Sequence, residues 1–194
     1  MDAPESRVGR FMGSALEILG ETGRTDFTVL EVVERAKTSL RAFYQHFASK
    51  DELLLALTDK IMTDATERWR AETASLTGVD ALRRLIDRIS APPESTTQDS
   101  INRGLTYYND HLMDTRPKEF ADVLAPLHRL IADILRRGID EGAFRTDLDI
   151  DTDAAILMQT VLSALRLRDL GAGLNGTPVV AAQVHTFCVR GLLR

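Results

Sequence analysis

The chain has 194 residues, 44% of them apolar and 27% charged, with a formal net charge of −5. That length and mixture suit a globular protein of one or two domains and exclude a disordered or fibrous one. The single cysteine, Cys188, rules out an internal disulfide, and no apolar run reaches the roughly 20 residues of a membrane span.

Six prolines, few β-branched runs and long segments of 3.6-residue period make the expected fold class all-α. The first helix is predicted over residues 7–21. Val8, Phe11, Met12, Ala15, Leu16 and Leu19 form one face, and Gly23 follows as the residue that ends it. Arg7 and Arg10 near its start could reach phosphates or remain solvated. Thr28 then offers an N-cap, and Glu31 three residues on completes a capping box. Val29, Val32, Val33 and Ala36 follow at helical spacing, and a turn falls at Lys37-Thr38.

Ser39 caps the third helix, predicted over residues 40–47. Phe43 and Phe47, four apart, share its buried face. Arg41, Ala42, Tyr44, Gln45 and His46 are left to look outward or sideways. A short helix with a buried aromatic side and an exposed Arg, Tyr, Gln and His can enter a major groove. From Lys37 to Lys50 there are three cations and no acid. Residues 1–50 hold seven Lys/Arg and seven Asp/Glu, and the remainder seventeen and twenty-two. An acidic body does not forbid DNA binding at a basic tip, because salt limits its field to about 10 Å.

Ser49 opens a fourth helix over 50–75, with Asp51 and Glu52 in the first turn, where the helix dipole favours acids. Its stripe is Leu53, Leu54, Leu57, Ile61, Ala65 and Trp69. At about 1.5 Å per residue it spans on the order of 35 Å, enough to carry a displacement from a distal core to the head. The fifth helix is predicted over 79–89, with Leu82, Leu85, Ile86 and Ile89 on one face. Residues 91–98 are too polar and proline-rich for helix. The sixth helix is predicted over 100–114 and the seventh over 117–141, where Pro126 is expected to kink or split it. After a connector at 143–150, the eighth runs from about 151 to 170, with Ala154, Ala155, Leu157, Met158, Val161, Leu162 and Leu165. The ninth has Thr177 as cap and Pro178 at its first position, then Val180, Ala181, Val184, Phe187, Cys188 and Leu192. The last two helices are apolar on more sides than one neighbour can cover. The expected use is a homodimer formed by these helices and their copies, as a four-helix bundle about a two-fold axis.

The run from Ala36 to Leu53 resembles the DNA-binding signature of TetR-type regulators. Tyr44, His46, Phe47, Ser49 and Lys50 match at their spacing. The specific resemblance covers about residues 7–60, and beyond it only the general helical plan is shared. It implies a helix-turn-helix head over 1–50, with the fourth helix as link, and an effector-binding and dimerisation domain over 51–194. It further implies a cytoplasmic transcriptional regulator, a repressor. Its expected partners are double-stranded DNA with a palindromic operator, a second copy of itself and a small, largely apolar effector. Half-sites about 34–36 Å apart follow from such symmetry.

The resemblance assigns Tyr44, His46 and Lys50 to backbone phosphates, and phenol, imidazole and ammonium are all suitable donors. Thr28 and Ser39 are caps first, with phosphate contact additional. Base reading falls to Arg41, which can pair bidentately with guanine, with Leu40, Ala42 and Gln45 as lesser candidates. Periodicity alone would place Leu40 on the buried stripe, whereas the family geometry aims it at the groove. Lys37 stands where the family has a turn glycine. A left-handed backbone there would cost on the order of 1 kcal/mol, while its charge could reach a phosphate. Leu40-Arg41-Ala42 also departs from the family pattern, so no operator sequence is carried over from relatives.

An effector cavity among the fourth to eighth helices could be lined by Trp69, Tyr107, Tyr108, His111, Phe120, Leu124, His128 and Met158. Its apolar lining would suit a hydrophobic molecule with one or two polar groups. Each of these residues alone is more often core or surface than ligand contact. Gly171 to Gly176 spells G-x-G-x-x-G but follows a helix rather than a strand, so it is expected to be a loop. Asn175-Gly176-Thr177 matches a glycosylation acceptor that a cytoplasmic chain would not use. The start of the chain carries acids and no apolar core, so no signal peptide is expected. The four histidines lack metal-ligand spacing, and no nucleophile elbow or phosphate loop is present. No enzyme, metal or cofactor is therefore expected. The rival is a helical small-molecule-binding or scaffold protein that does not bind DNA.

Overall fold

A computed structural model describes residues 6–169 and 180–194. Among these residues the chain forms nine α-helices: α1 (Arg7–Thr22), α2 (Val29–Arg35), α3 (Leu40–Tyr44), α4 (Lys50–Thr73), α5 (Gly78–Ile89), α6 (Thr96–Thr115), α7 (Pro117–Asp140), α8 (Ile150–Asp169) and α9 (Ala181–Leu192). The only extended pairing among them is an isolated bridge between Phe144 and Leu193. The all-α expectation holds.

The chain divides into two compact units. The first comprises Met1–Ile61 and Pro93–Pro117, and the second Met62–Pro92 and Lys118–Arg194. In the first, α6 joins helices far from it in sequence. A side chain at Gly20 of α1 would meet Thr97 at 2.7 Å, and one at Gly104 of α6 would meet Leu19 at 2.8 Å. The two helices approach that closely because both positions lack a Cβ. The buried Tyr108 donates its hydroxyl to the Asp51 carbonyl at 2.9 Å, and Arg116 pairs with Glu52 at 2.7 Å. α6 is thereby tied to the first turn of α4.

The second unit holds one large apolar cluster. Leu82, Leu85 and Ile86 of α5, Leu127 and Ile134 of α7, Met158 and Val161 of α8, and Val184 and Cys188 of α9 all belong to it. The connector after α7 folds back onto its own helix. The Phe144 amide bonds to the Gly138 carbonyl at 3.0 Å, and the Phe144 ring lies where a Gly138 side chain would stand. Phe144 is completely buried, a core role that periodicity did not identify.

Several predicted boundaries move. α6 begins at Thr96, inside the stretch expected to be a break. The Ser95 hydroxyl accepts the Gln98 amide at 3.1 Å, so a polar Ser-Thr-Thr run serves as a helix start. α7 contains Pro126 without being divided. α3 ends at Tyr44 rather than residue 47. Its winding tightens there: the amides of His46 and Phe47 both turn to the Phe43 carbonyl, at 2.9 and 3.0 Å. The cap at Thr177 and Pro178, the predicted loop 171–176 and the Asn175 acceptor site lie outside the described residues.

Candidate nucleic-acid interface

The head is built around three phenylalanines. Phe43 is fully buried, its ring edge-on to Phe11 at 5.4 Å and tilted against Phe47 at 5.6 Å. Phe11 also meets Phe47 at 6.4 Å. Such pairs hold α3 to α1 by area and by ring geometry together. With that face buried, Arg41, Tyr44, Gln45 and His46 are exposed and Ala42 is half-buried. Leu40 is 43% exposed and so lies off the buried stripe, which resolves its two expected positions in favour of the outward one. Tyr44 stands edge-on to Phe43 at 5.4 Å, and the His46 ring rests 6.3 Å from Phe11.

The turn before α3 carries the expected strain. Lys37 has φ 51°, the one positive value at a non-glycine among the described residues. It ends α2 in a Schellman motif. The Thr38 amide reaches the Val33 carbonyl at 2.9 Å, and the Lys37 amide reaches the Glu34 carbonyl at 3.1 Å. Ser39 accepts the Ala42 amide at 3.2 Å as cap, and its own O–H is not spent on that bond. Among the described residues neither Lys37 nor Arg41 is in an ion pair. Arg35 is different: its two guanidinium nitrogens clamp Glu21 of α1 at 2.5 and 2.8 Å. That hydrogen bond holds the Glu21 carboxyl below its ordinary range and pushes the guanidinium further up.

Thr28 forms the full capping box. Its hydroxyl accepts the Glu31 amide at 3.2 Å and donates to the Glu31 carboxylate at 2.8 Å, while its own amide donates to the same carboxylate at 2.6 Å. The amide first and the hydroxyl second hold the Glu31 carboxyl below its usual range. The Thr28 hydroxyl proton is therefore committed inside the cap. Lys50 is also engaged: its ammonium donates to the Thr25 carbonyl at 2.8 Å and sits 5.5 Å above the Phe27 ring. Two of its three protons remain for other acceptors. Neither the Lys50–Thr25 bond nor the Arg35–Glu21 clamp had a signal in the sequence, since each joins residues set by tertiary packing.

The expected effector residues divide between the two units. Tyr107, Tyr108 and His111 belong to the first, where Tyr107 is exposed beside Gly23–Asp26 and the Tyr108 hydroxyl serves α4. Burial, chiefly, raises the Tyr108 phenol far above its ordinary pKa. Trp69, Phe120, Leu124, His128 and Met158 belong to the second. Leu124 and Met158 are core, Trp69 and Phe120 pack partly buried against it, and His128 Nε2 is 2.9 Å from the Asp151 carbonyl. Among the described residues no group of three His, Cys, Asp or Glu is arranged to hold a metal ion, and no helix is long and apolar enough to cross a membrane.

Two short helices, α2 and α3, joined by a tight turn and braced by α1, form a helix-turn-helix of the kind that defines a class of transcriptional regulators. Residues 12–57 match the family model described as bacterial regulatory proteins, tetR family. The HTH-type transcriptional repressor KstR2 of Rhodococcus jostii is 24% identical over 182 residues, covering 92% of this chain and 87% of that protein. KstR2 of Mycobacterium tuberculosis is 26% identical over 188 residues, with the same coverage. The fold matches that of FadR from Bacillus subtilis, solved in complex with stearoyl-CoA, at a TM-score of 0.75 and 17% identity over 94% of this chain and 97% of that one. By the match over residues 12–57 and by the repressors aligned over most of its length, the chain is similar to TetR-family transcriptional regulators, which are not enzymes.

Proposed function

We propose that this regulator is a homodimeric, cytoplasmic repressor that reads a palindromic operator through α3 and leaves it when a largely apolar effector binds. The observation that carries the DNA contact is the exposed edge of α3, with Arg41 outward and Phe43 wholly buried beneath it. Arg41 reads guanine, with Leu40, Ala42 and Gln45 beside it. Tyr44, His46, Ser39, Lys37 and the remaining Lys50 protons hold phosphates. Thr28 acts through its cap, because its hydroxyl would have to release Glu31 to reach DNA. The DNA contacts lie within residues 1–50; α6 groups with that head, and the sensing and pairing surfaces lie in the second unit, Met62–Pro92 and Lys118–Arg194.

Pairing through α8 and α9 is supported by what they leave uncovered. Phe187 is 72% exposed and Ile156 59%, and both line an open groove of about 620 Å³ with Leu157, Thr160 and Thr186. A second copy's helices are the occupant that fits, since an isologous contact needs one self-complementary apolar patch. The effector's proposed site is in the second unit, where Trp69, Phe120, Leu124 and Met158 of the expected set lie together in or against one apolar cluster. Two fold and sequence relatives favour an apolar ligand: FadR was solved with an acyl thioester, and KstR2 is described as a ketosteroid regulator. Ligand can shift the operator-bound state only through its differential affinity for the two conformations.

Selection of bound genomic fragments, followed by footprinting, tests this directly. Two protected half-sites centred about 10–10.5 base pairs apart, or a multiple of that, are expected. No enriched fragment would favour the rival, a helical binding protein without DNA contact.

A further inference from the structure

The face of α4 that enters the second unit carries Met62, Thr66 and Trp69, four and three residues apart. Met62 and Trp69 pack partly buried against the apolar cluster. Thr66 between them is 2% exposed, and its hydroxyl has no hydrogen-bond partner among the described residues. Two other threonines of the same helix are satisfied within it. Thr58 and Thr73 each donate to the carbonyl four residues back, at 2.8 Å, and Thr106, Thr160 and Thr186 do likewise in other helices. Back-bonding is the ordinary way a helical threonine satisfies its proton. A buried hydroxyl that forgoes it bears a desolvation penalty with nothing in return from the protein.

We propose that the Thr66 hydroxyl is the polar anchor of the effector and donates to a neutral carbonyl oxygen on an otherwise apolar skeleton. This rests on the effector-binding role proposed above. Neutrality follows from the surroundings. Among the described residues no lysine or arginine is buried, so no cation balances a buried carboxylate. One donor set among Met62, Trp69 and an apolar core selects a molecule with a single inward acceptor. A fatty acyl thioester and a ketosteroid both present that chemistry.

Two matched pairs separate the sources: lauroyl-CoA against its thioether dodecyl-CoA, and androst-4-ene-3,17-dione against 5α-androstane. Each is titrated calorimetrically into the full-length wild type, Thr66→Val and Thr66→Ser. In one pair the carbonyl compound should bind wild type about tenfold more tightly than its carbonyl-free partner. Thr66→Val should abolish that preference, and Thr66→Ser should restore it. Valine keeps the shape without the hydroxyl, so its urea midpoint should equal or exceed that of wild type. A preference that persists in Thr66→Val overturns the anchor while leaving effector binding in place. Failure of both carbonyl compounds to bind wild type overturns the ligand class. The effector role itself is tested separately, by operator release in a metabolite extract.

Discussion

Lys37→Gly should strengthen the fold and weaken the DNA contact at once. The left-handed backbone at φ 51° costs a side-chain-bearing residue about 1–2 kcal/mol. Glycine removes that strain, but its greater freedom in the unfolded chain returns about 0.5–1 kcal/mol of it. The net gain is roughly 0.5–1 kcal/mol, or a rise of about 1–4 °C in melting temperature for a chain of this length. The Schellman bonds from Thr38 to Val33 and from Lys37 to Glu34 are backbone bonds, so they survive the change. One phosphate-reaching charge is lost, so the slope of log K against log salt should fall by about 0.9. Lys37→Ala is the control: it should lose the same slope without the gain in stability. Circular dichroism melts and operator anisotropy at four salt concentrations read both quantities. A destabilised Lys37→Gly would refute the strain, and an unchanged slope would refute the phosphate contact.

Phe43→Ala removes the ring on which Phe11 and Phe47 converge, and should cost about 3–5 kcal/mol and abolish operator binding, read by urea denaturation and anisotropy. The Glu31 carboxyl has a lowered pKa, so its stabilisation is complete above the ordinary carboxylate range and is lost as pH falls through that range to the lowered value. Glu31→Gln should therefore flatten the acid limb of head stability, as amide exchange or melts between pH 3 and about 6 would record. Phe187→Asp places a charge on the uncovered α9 face and should leave a folded monomer in sedimentation, with operator affinity reduced by at least tenfold.

What could be read from sequence was local. The capping box at Thr28 and Glu31, the cap at Ser39 and the left-handed site at Lys37 each depend on a few neighbouring residues, and each formed. The Phe43/Phe47 stripe was equally legible, because four-residue spacing fixes a shared helix face. The misses share a different cause. Ser95 begins α6 within a polar run, since capping competes successfully with composition. The short α3 reflects winding around Phe43, which periodicity does not resolve. Phe144 becomes core because Gly138, in the preceding helix, leaves room for its ring. Lys50 was legible as a cation at a helix start, but its bond to Thr25 depends on how two distant segments meet. The effector set was the least legible part: helical spacing could not show that Tyr107, Tyr108 and His111 group with the head.

Base reading by α3 depends on a single side chain, Arg41. Fluorescence anisotropy should be measured on a selected operator fragment, with wild type and Arg41→Ala at matched salt. Arg41 is exposed and unpaired among the described residues, so the variant should melt with wild type. Its affinity for the operator should fall by about 1–3 kcal/mol, while its binding to unrelated DNA changes far less. Equal operator affinity for the two proteins, or an equal loss on every sequence, would contradict base reading by α3.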